Sequence, residues 1–225
     1  VAKRRMDRKL TNAQSTGCRT VVTDNQGGYL PARDGKVVAP QPALLSRTPY
    51  NKGASNNSQA MRWARHGYVV AVQDVRGRYA SDGIFTAFVQ EDLDGYDAIE
   101  WLAELPQCDG RVGTWGGSYC AANQGAAATQ RPPHLAAMCH YFGYPHKYHV
   151  LRQGGALDVF YISYMAYMAG DGKEAQADAG VKQALYDMRF EEWLKRWPLQ
   201  RGRSPLALAP SYEDLSFEFI NREAL

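Results

Sequence analysis

Arg111-Val112-Gly113-Thr114-Trp115 runs directly into Gly116-Gly117-Ser118-Tyr119, and an alanine-rich stretch from Ala121 to Ala128 follows. A short buried strand, a glycine-flanked serine and a helix start, in that order, leave few folds open. The turn between strand and helix must be sharp and strained, and a side chain beside the serine would collide with neighbouring strands, so glycines are needed there. The serine hydroxyl is left exposed at the end of a parallel strand, with backbone N–H groups of the new helix aimed at any negative charge formed beside it. This is the plan of a nucleophile elbow, and it makes Ser118 the candidate nucleophile. The plainer alternative, a glycine-rich turn that merely contains a serine, is weakened by the strand before it and the helix after it.

The surrounding chain predicts the sheet such an elbow requires. Ala43-Leu44-Leu45-Ser46 reads as a short strand, Met61 to His66 as the end of a helix stopped by Gly67, and Tyr68-Val69-Val70-Ala71-Val72 as a strand buried on both faces. Leu93, Tyr96, Ile99, Trp101 and Leu102 keep close to helical spacing up to Pro106, and Leu135-Ala136-Ala137-Met138-Cys139 predicts a further strand. This βαβα rhythm means a parallel sheet covered on both faces, with the site at the carboxyl ends of its strands. From about Phe142 the pattern turns helical. Leu157, Phe160, Tyr161, Tyr164, Met165 and Met168 form one stripe; Tyr186, Phe190, Trp193, Leu194 and Trp197 form another, ended by Pro198. Such stripes are core, or the inner wall of a helical cap over a substrate pocket, and both can hold for different faces.

Charge narrows the partners. The net charge is +3, yet Lys3, Arg4, Arg5, Arg8 and Lys9 against Asp7 already give +4 in the first ten residues, so the remainder is close to neutral. A basic tail of this kind is a solvated, disordered end; neither nucleic acid nor a membrane surface is expected as a partner. The apolar runs, such as Gly67 to Val72, are far shorter than the ~20 residues of a membrane span, and no signal-peptide core follows the basic start. Cys18, Cys108, Cys120 and Cys139 show no CxxC pair and no metal spacing. Cys120 and Cys139 are expected as buried thiols, which points to a reducing, cytoplasmic compartment. No metal or organic cofactor is implied.

Further strings now fit together. Arg47-Thr48-Pro49-Tyr50-Asn51-Lys52 follows one strand, and Gln73-Asp74-Val75-Arg76-Gly77-Arg78 follows the next and continues to Ser81-Asp82-Gly83. Asp94-Gly95-Tyr96-Asp97 opens the helix ending at Glu100-Trp101-Leu102, and Asp109-Gly110-Arg111-Val112-Gly113 leads into the elbow. Together these resemble the X-Pro dipeptidyl-peptidase-like serine hydrolases (peptidase S15, CocE/NonD), the group containing cocaine esterase and related acyl esterases. The likeness runs from about Thr20 onward and is strongest from Leu44 to Pro133. At the elbow the family pattern is Gly-x-Ser-Tyr-x-Gly; Gly116, Ser118 and Tyr119 match, but Ala121 stands where the final glycine belongs. Its β-carbon could crowd the helix against the sheet, though alanine is the smallest such change and the elbow is expected to survive. The resemblance implies an α/β-hydrolase fold with an inserted helical cap and Ser118 as nucleophile. It also implies an oxyanion hole from the Tyr119 backbone N–H and the Tyr50 hydroxyl. Without it, Tyr50 reads as a tyrosine packing the turn after Pro49.

Three groups of charges and bases need weighing. Asp74 and Arg76 are tempting catalytic charges, but a buried carboxylate–guanidinium pair tying adjacent loops is the preferred reading. Glu91, Asp92, Asp94 and Asp97 crowd a helix N-terminus, where the dipole favours carboxylates, and do not look like a metal cluster. A serine also needs a base and an orienting acid, which in α/β-hydrolases follow the serine in chain order. No histidine occurs beyond His149, and nothing after Pro198 reads as a buried strand ending in aspartate. His134, His140, His146 and His149 cluster after the elbow helix; His140 directly follows a strand and is the internal alternative as base, while His66 suits a helix C-terminus.

The expectation is therefore a basic N-terminus over 1–19, the N-terminal half of an α/β-hydrolase core over 20–141, and an incomplete helical cap over 142–225. The C-terminal part of the fold, with the triad acid and base, is expected to be missing, so the chain alone would be inactive and, with an open sheet edge, prone to form homo-oligomers. The expected function is hydrolysis of an ester, an amide or a short peptide through an acyl-enzyme on Ser118. Acyl esters are the favoured class, since no large N-terminal extension of the peptidase type is present. The rival is a catalytically incomplete hydrolase-like fold serving as a binding module.

Overall fold

The computed structural model describes residues 19–22, 32–33, 36–37, 40–53, 57–143, 152–187, 193, 195–196 and 198–221. The chain divides into two units, Val1–Pro145 and His146–Leu225.

The first unit is built on β1 (Arg19–Val22), β4 (Gln41–Thr48), β5 (Val69–Asp74), β6 (Cys108–Gly117) and β7 (Leu135–Tyr141), in the sheet order β1-β5-β4-β6-β7. The last four are parallel, as the βαβα rhythm predicts. β1 lies antiparallel against β5, from Arg19 opposite Asp74 to Val22 opposite Ala71, so the sheet is mixed at this edge. β2 (Ala32–Arg33) and β3 (Lys36–Val37) form a separate two-stranded ribbon.

All six residues of β5 are buried, because its alternate side chains enter two different cores. Val69 and Ala71 pack with Ala43, Leu45, Val112, Ile99, Leu102 and Ala127, beneath α2 (Glu91–Ala103) and α3 (Tyr119–Thr129). Val70 and Val72 pack with Trp115, Ala60 and Ala64 on the other face, beneath α1 (Asn57–Arg65). Burying a side chain the size of Leu102 stabilises the fold by about 1.5–3 kcal/mol. α2 and α3 touch closely where a Cβ on Gly95 would stand 2.5 Å from that of Ala127. α1 ends as expected: the His66 ring bonds the Arg62 carbonyl through Nδ1 at 2.8 Å, and Gly67 takes φ 93°.

β7 corrects one expectation. It is the last strand in the sheet order, and six of its seven residues are exposed. Cys139 is therefore an exposed thiol, not a buried one, while Cys108 and Cys120 are buried. Cys18 lies outside the described residues, as does most of the basic N-terminus.

In the second unit, β8 (Arg152–Gln153) and β9 (Ala156–Leu157) are joined by Gly154-Gly155 at φ 63° and 88°, the left-handed pair a tight hairpin needs. Helices follow: α4 (Phe160–Gly170), α5 (Lys173–Gln176), α6 (Ala179–Tyr186) and α7 (Pro210–Asn221). The Asp178 carboxylate caps α6 by accepting the Gly180 and Val181 N–H groups. The expected stripe on α4 is rotated. Tyr161, Ile162, Met165 and Met168 are buried, but Phe160 is 67% exposed, because Ile162, Ala166 and Ala169 complete the inner face instead. The second stripe also differs: α6 stops at Tyr186, which faces solvent while Leu185 is buried, and Phe190, Leu194 and Trp197 lie outside the described residues. α7 packs back on α4: its Phe219 meets Tyr161 edge-on at 5.5 Å between ring centroids. Among the described residues, no helix is long and apolar enough to cross a membrane.

Candidate active site

Strand β6 ends at Gly117, Ser118 turns the chain, and α3 begins at Tyr119. Ser118 has φ 55° and ψ −122°, a conformation essentially reserved for glycine that costs about 1–3 kcal/mol in other residues. The turn is held on every side. The Ser118 N–H donates to the Phe142 carbonyl at 2.8 Å, and the Ser118 carbonyl accepts from the N–H groups of Ala121 at 3.0 Å and Ala122 at 3.1 Å. Gly116 sits at φ 148°, where a Cβ would lie 2.5 Å from Cys120 Cβ; a Cβ on Gly117 would lie 2.6 Å from the Tyr141 ring. Both glycines are thus demanded by close approach. Gln124, which carries no signal in the sequence, staples the turn. Its Nε2 donates to the Gly116 carbonyl at 3.2 Å and the Cys120 carbonyl at 2.7 Å, and its Oε1 accepts from Thr114 at 2.9 Å. The strain leaves the Ser118 side chain exposed at the helix N-terminus.

Ala121, in place of the expected glycine, is buried, and the β-carbon meets Gly143 after β7. The elbow therefore survives with the alanine in place.

Tyr119 points inward and is 2% exposed. Its hydroxyl accepts the Phe88 N–H at 2.9 Å and donates to Glu91 Oε1 at 2.7 Å, and its ring stacks on Phe88 at 4.2 Å. Tyr50, at the carboxyl end of β4, meets the Tyr119 ring edge-on at 6.5 Å. The turn carrying Tyr50 is fixed twice. Thr48 Oγ1 accepts the Tyr50 N–H at 3.1 Å, and Arg78 Nε donates to the Pro49 carbonyl at 3.0 Å. Because β4 and β6 are neighbours in the sheet, Tyr50, Ser118 and Tyr119 gather at one edge of it.

The charges around this edge are arranged otherwise than expected. Asp74 and Arg76 do not pair with each other. Asp74 accepts the Lys52 N–H at 2.7 Å and Lys52 Nζ at 2.6 Å, whereas the Arg76 guanidinium turns to Asp94. Both remain loop ties, but each ties a different loop. The acidic cluster at the start of α2 does more than face a helix dipole: Glu91 lies 2.7 Å from Arg47 Nη1 with both side chains buried, and Asp92 accepts from Gln130 at 3.0 Å. Among the described residues, no group of three His, Cys, Asp or Glu is placed to hold a metal ion. Burial pushes the Cys120 thiol up to about 11, so it stays a neutral thiol near neutral pH, two residues from the exposed Ser118 hydroxyl.

The histidines divide. His134 Nδ1 bonds Glu100 at 2.7 Å and His66 closes α1. His140 lies on β7 in register with Gly116, exposed, and among the described residues no hydrogen bond joins it to Ser118. His146 and His149 lie outside the described residues.

The chain matches the profile of the X-Pro dipeptidyl-peptidase (S15 family) over residues 28–212. It is 33% identical over 190 residues to the cocaine esterase of Rhodococcus sp. (strain MB1 Bresler), a match covering 81% of this chain and 32% of that protein. The chain thus spans about a third of the length of this curated relative. Among solved structures, a CocE/NonD family hydrolase from Staphylococcus aureus superposes with a TM-score of 0.56 at 24% identity, over 72% of this chain and 37% of that one. A hypothetical protein from Pseudomonas aeruginosa superposes at 0.51 and 14% identity, over 97% and 75% of the two chains. These two likenesses bear on the fold, the α/β-hydrolase arrangement that the parallel sheet and the elbow describe. With its turn at Ser118 and the match along most of its length, the chain belongs to the X-Pro dipeptidyl-peptidase (S15) family of hydrolases.

Proposed function

We propose that this hydrolase acts through a covalent acyl-enzyme on Ser118, on small acyl esters, with amides and short peptides as the alternative substrates of the same chemistry. The observation that carries the reading is the backbone of Ser118: a positive φ at a non-glycine residue, held by three backbone hydrogen bonds, the Gln124 staple and two space-limited glycines, and a hydroxyl left in the open. Strain of this kind is kept where it presents a reacting group.

Attack of Ser118 Oγ on the acyl carbon forms a C–O bond and places a full negative charge on the former carbonyl oxygen. The Tyr119 N–H, first in the helix, and the Tyr50 hydroxyl are the donors to that charge; one such preorganised donor lowers the barrier by about 2.7–4 kcal/mol. The leaving alcohol departs with the proton taken from serine, and water releases the acid from the acyl-enzyme. The proton must pass through a base, which His134 and His66, being engaged elsewhere, do not supply. We assign base and acid to segments beyond these 225 residues, and the helical segment over 142–225 to an incomplete cap. The 225 residues by themselves would then be inactive.

A fluorophosphonate probe should label the full-length enzyme at Ser118, and Ser118→Ala should abolish both labelling and ester turnover while leaving the fold intact. Labelling that persists at another serine would overturn the assignment. A protein that folds, binds an ester and neither labels nor turns over would be the binding module instead.

A further inference from the structure

Tyr119 is joined to Tyr50's strand by a closed ring of buried bonds, and this ring carries the inference, which rests on the acyl-enzyme reading above. The Tyr119 hydroxyl donates to Glu91 Oε1 at 2.7 Å; Glu91 Oε2 lies 2.7 Å from Arg47 Nη1; and Asn123 Nδ2, one turn along the same helix, donates to the Arg47 carbonyl at 2.8 Å. Arg47 also donates through Nε to Gln73 at 2.6 Å and through Nη1 to the Glu91 carbonyl at 3.1 Å. Arg47, Glu91, Tyr119 and Asn123 are each at most 5% exposed. The ring fastens the start of α3 to the carboxyl end of β4, three residues before Tyr50, through the first residue of α2.

We infer that Glu91 is a positioning residue for the oxyanion site: by holding the Tyr119 side chain against Arg47 it fixes the spacing between the Tyr119 N–H and the Tyr50 hydroxyl. Two donors that must meet one oxygen atom are useful only at a set separation, and they come from different strands. Backbone bonds fix Ser118, but the tie between α3 and the Tyr50 turn runs through side chains, with Glu91 at its centre. The stacking of Phe88 on Tyr119 and the edge contact of Tyr50 with the same ring add to this hold, since displacing the Tyr119 ring displaces the packing surface of Tyr50. Glu91 touches no reacting atom; its effect passes through Tyr119.

The test uses the full-length enzyme, with active sites counted by fluorophosphonate titration so that misfolded molecules do not enter the rate. Tyr119→Phe removes the hydroxyl and keeps the backbone N–H. The expected result is a kcat per titrated site lower by about tenfold, less than the 10²–10³-fold of deleting a donor outright, with KM within about twofold. Phenylboronic acid, which forms a tetrahedral anionic adduct with a reactive serine, should bind more weakly by a similar factor. Glu91→Gln keeps an acceptor for Tyr119 but removes the charge facing Arg47, and should show the same pattern at smaller size. If Tyr119→Phe does not accumulate as folded protein, Glu91→Gln decides. Unchanged kcat per site and unchanged boronate binding, with only a lowered melting temperature, would reduce the ring to a structural tie and overturn the inference while leaving Ser118 as nucleophile. Absence of Ser118 labelling in the parent enzyme would instead sink the acyl-enzyme reading, and this inference with it.

Discussion

Gly143 lacks a β-carbon at the point where Ala121 presents one: a Cβ built on Gly143 would stand 2.3 Å from that of Ala121. The glycine the family places in the elbow helix has, in effect, a counterpart across the contact, at the end of the segment following β7. The pair predicts a reciprocal dependence. Gly143→Ala should destabilise the protein by about 1–3 kcal/mol through overpacking, and Ala121→Gly should relieve much of that cost in the double variant. Urea unfolding of the parent, both single variants and the double variant measures it. A Gly143→Ala penalty that is the same in both backgrounds would show that the two residues are uncoupled.

Tyr50→Phe removes one hydroxyl and leaves the edge contact with Tyr119. Under the proposed mechanism kcat should fall by about 10²–10³-fold with KM little changed, because the lost bond is made to the oxyanion and not to the ground-state ester. Steady-state kinetics under conditions where acylation limits the rate provide the measurement. An unaltered kcat would return Tyr50 to packing.

Asp74 is 1% exposed and receives two groups from Lys52 and, at 3.3 Å, the Ala80 N–H. Asp74→Ala leaves the Lys52 ammonium beside a buried site without its counter-charge and should cost about 3–5 kcal/mol of stability. Arg76, 28% exposed in its side chain, should cost less when replaced by alanine. Chemical denaturation of both variants ranks them; the opposite ranking would mean that Arg76 holds the loop over residues 75–90.

Cys120 and Cys139 should part company chemically. Iodoacetamide at pH 8 should modify the exposed Cys139 in the native protein, and Cys120 only on unfolding. Burial pushes the Cys120 thiol up to about 11 in the folded protein, above its ordinary 9.0. The unfolded chain therefore loses this proton first, so the contribution of Cys120 to stability is intact below pH 9 and is lost as pH rises from 9 through 11. Comparing stability against pH for the parent and Cys120→Ala isolates this slope; identical slopes would contradict it.

The parts of this fold legible in the sequence were those whose cause is local. The run from Tyr68 to Val72 could only be a strand with two covered faces, and glycines on the strand side of Ser118 could only serve a cramped turn. What the sequence left unread depends on who comes near. The apolar Leu135–Cys139 run is the same whether its strand is central or at the edge, so the exposure of Cys139 was not visible. Asp74 and Arg76 are close in sequence, yet their partners arrive from different places: Lys52 from the turn after β4, and Asp94 from the first turn of α2. Glu91 looked like helix-end charge because its two partners lie 44 and 28 residues away. The signal that could have found it is the conjunction of a buried-strand arginine, Arg47, with an acidic helix start, since an arginine that deep demands a carboxylate.

Strands β4 and β6 lie side by side, but the chain leaves for β5 between them, from Thr48 to Cys108. Closing such an excursion is slow compared with forming either helix. Synthesis from the N-terminus turns this into a matter of timing. Until β6 has left the ribosome and zipped onto β4, the emerging chain displays Tyr50 without the Ser118 turn beside it.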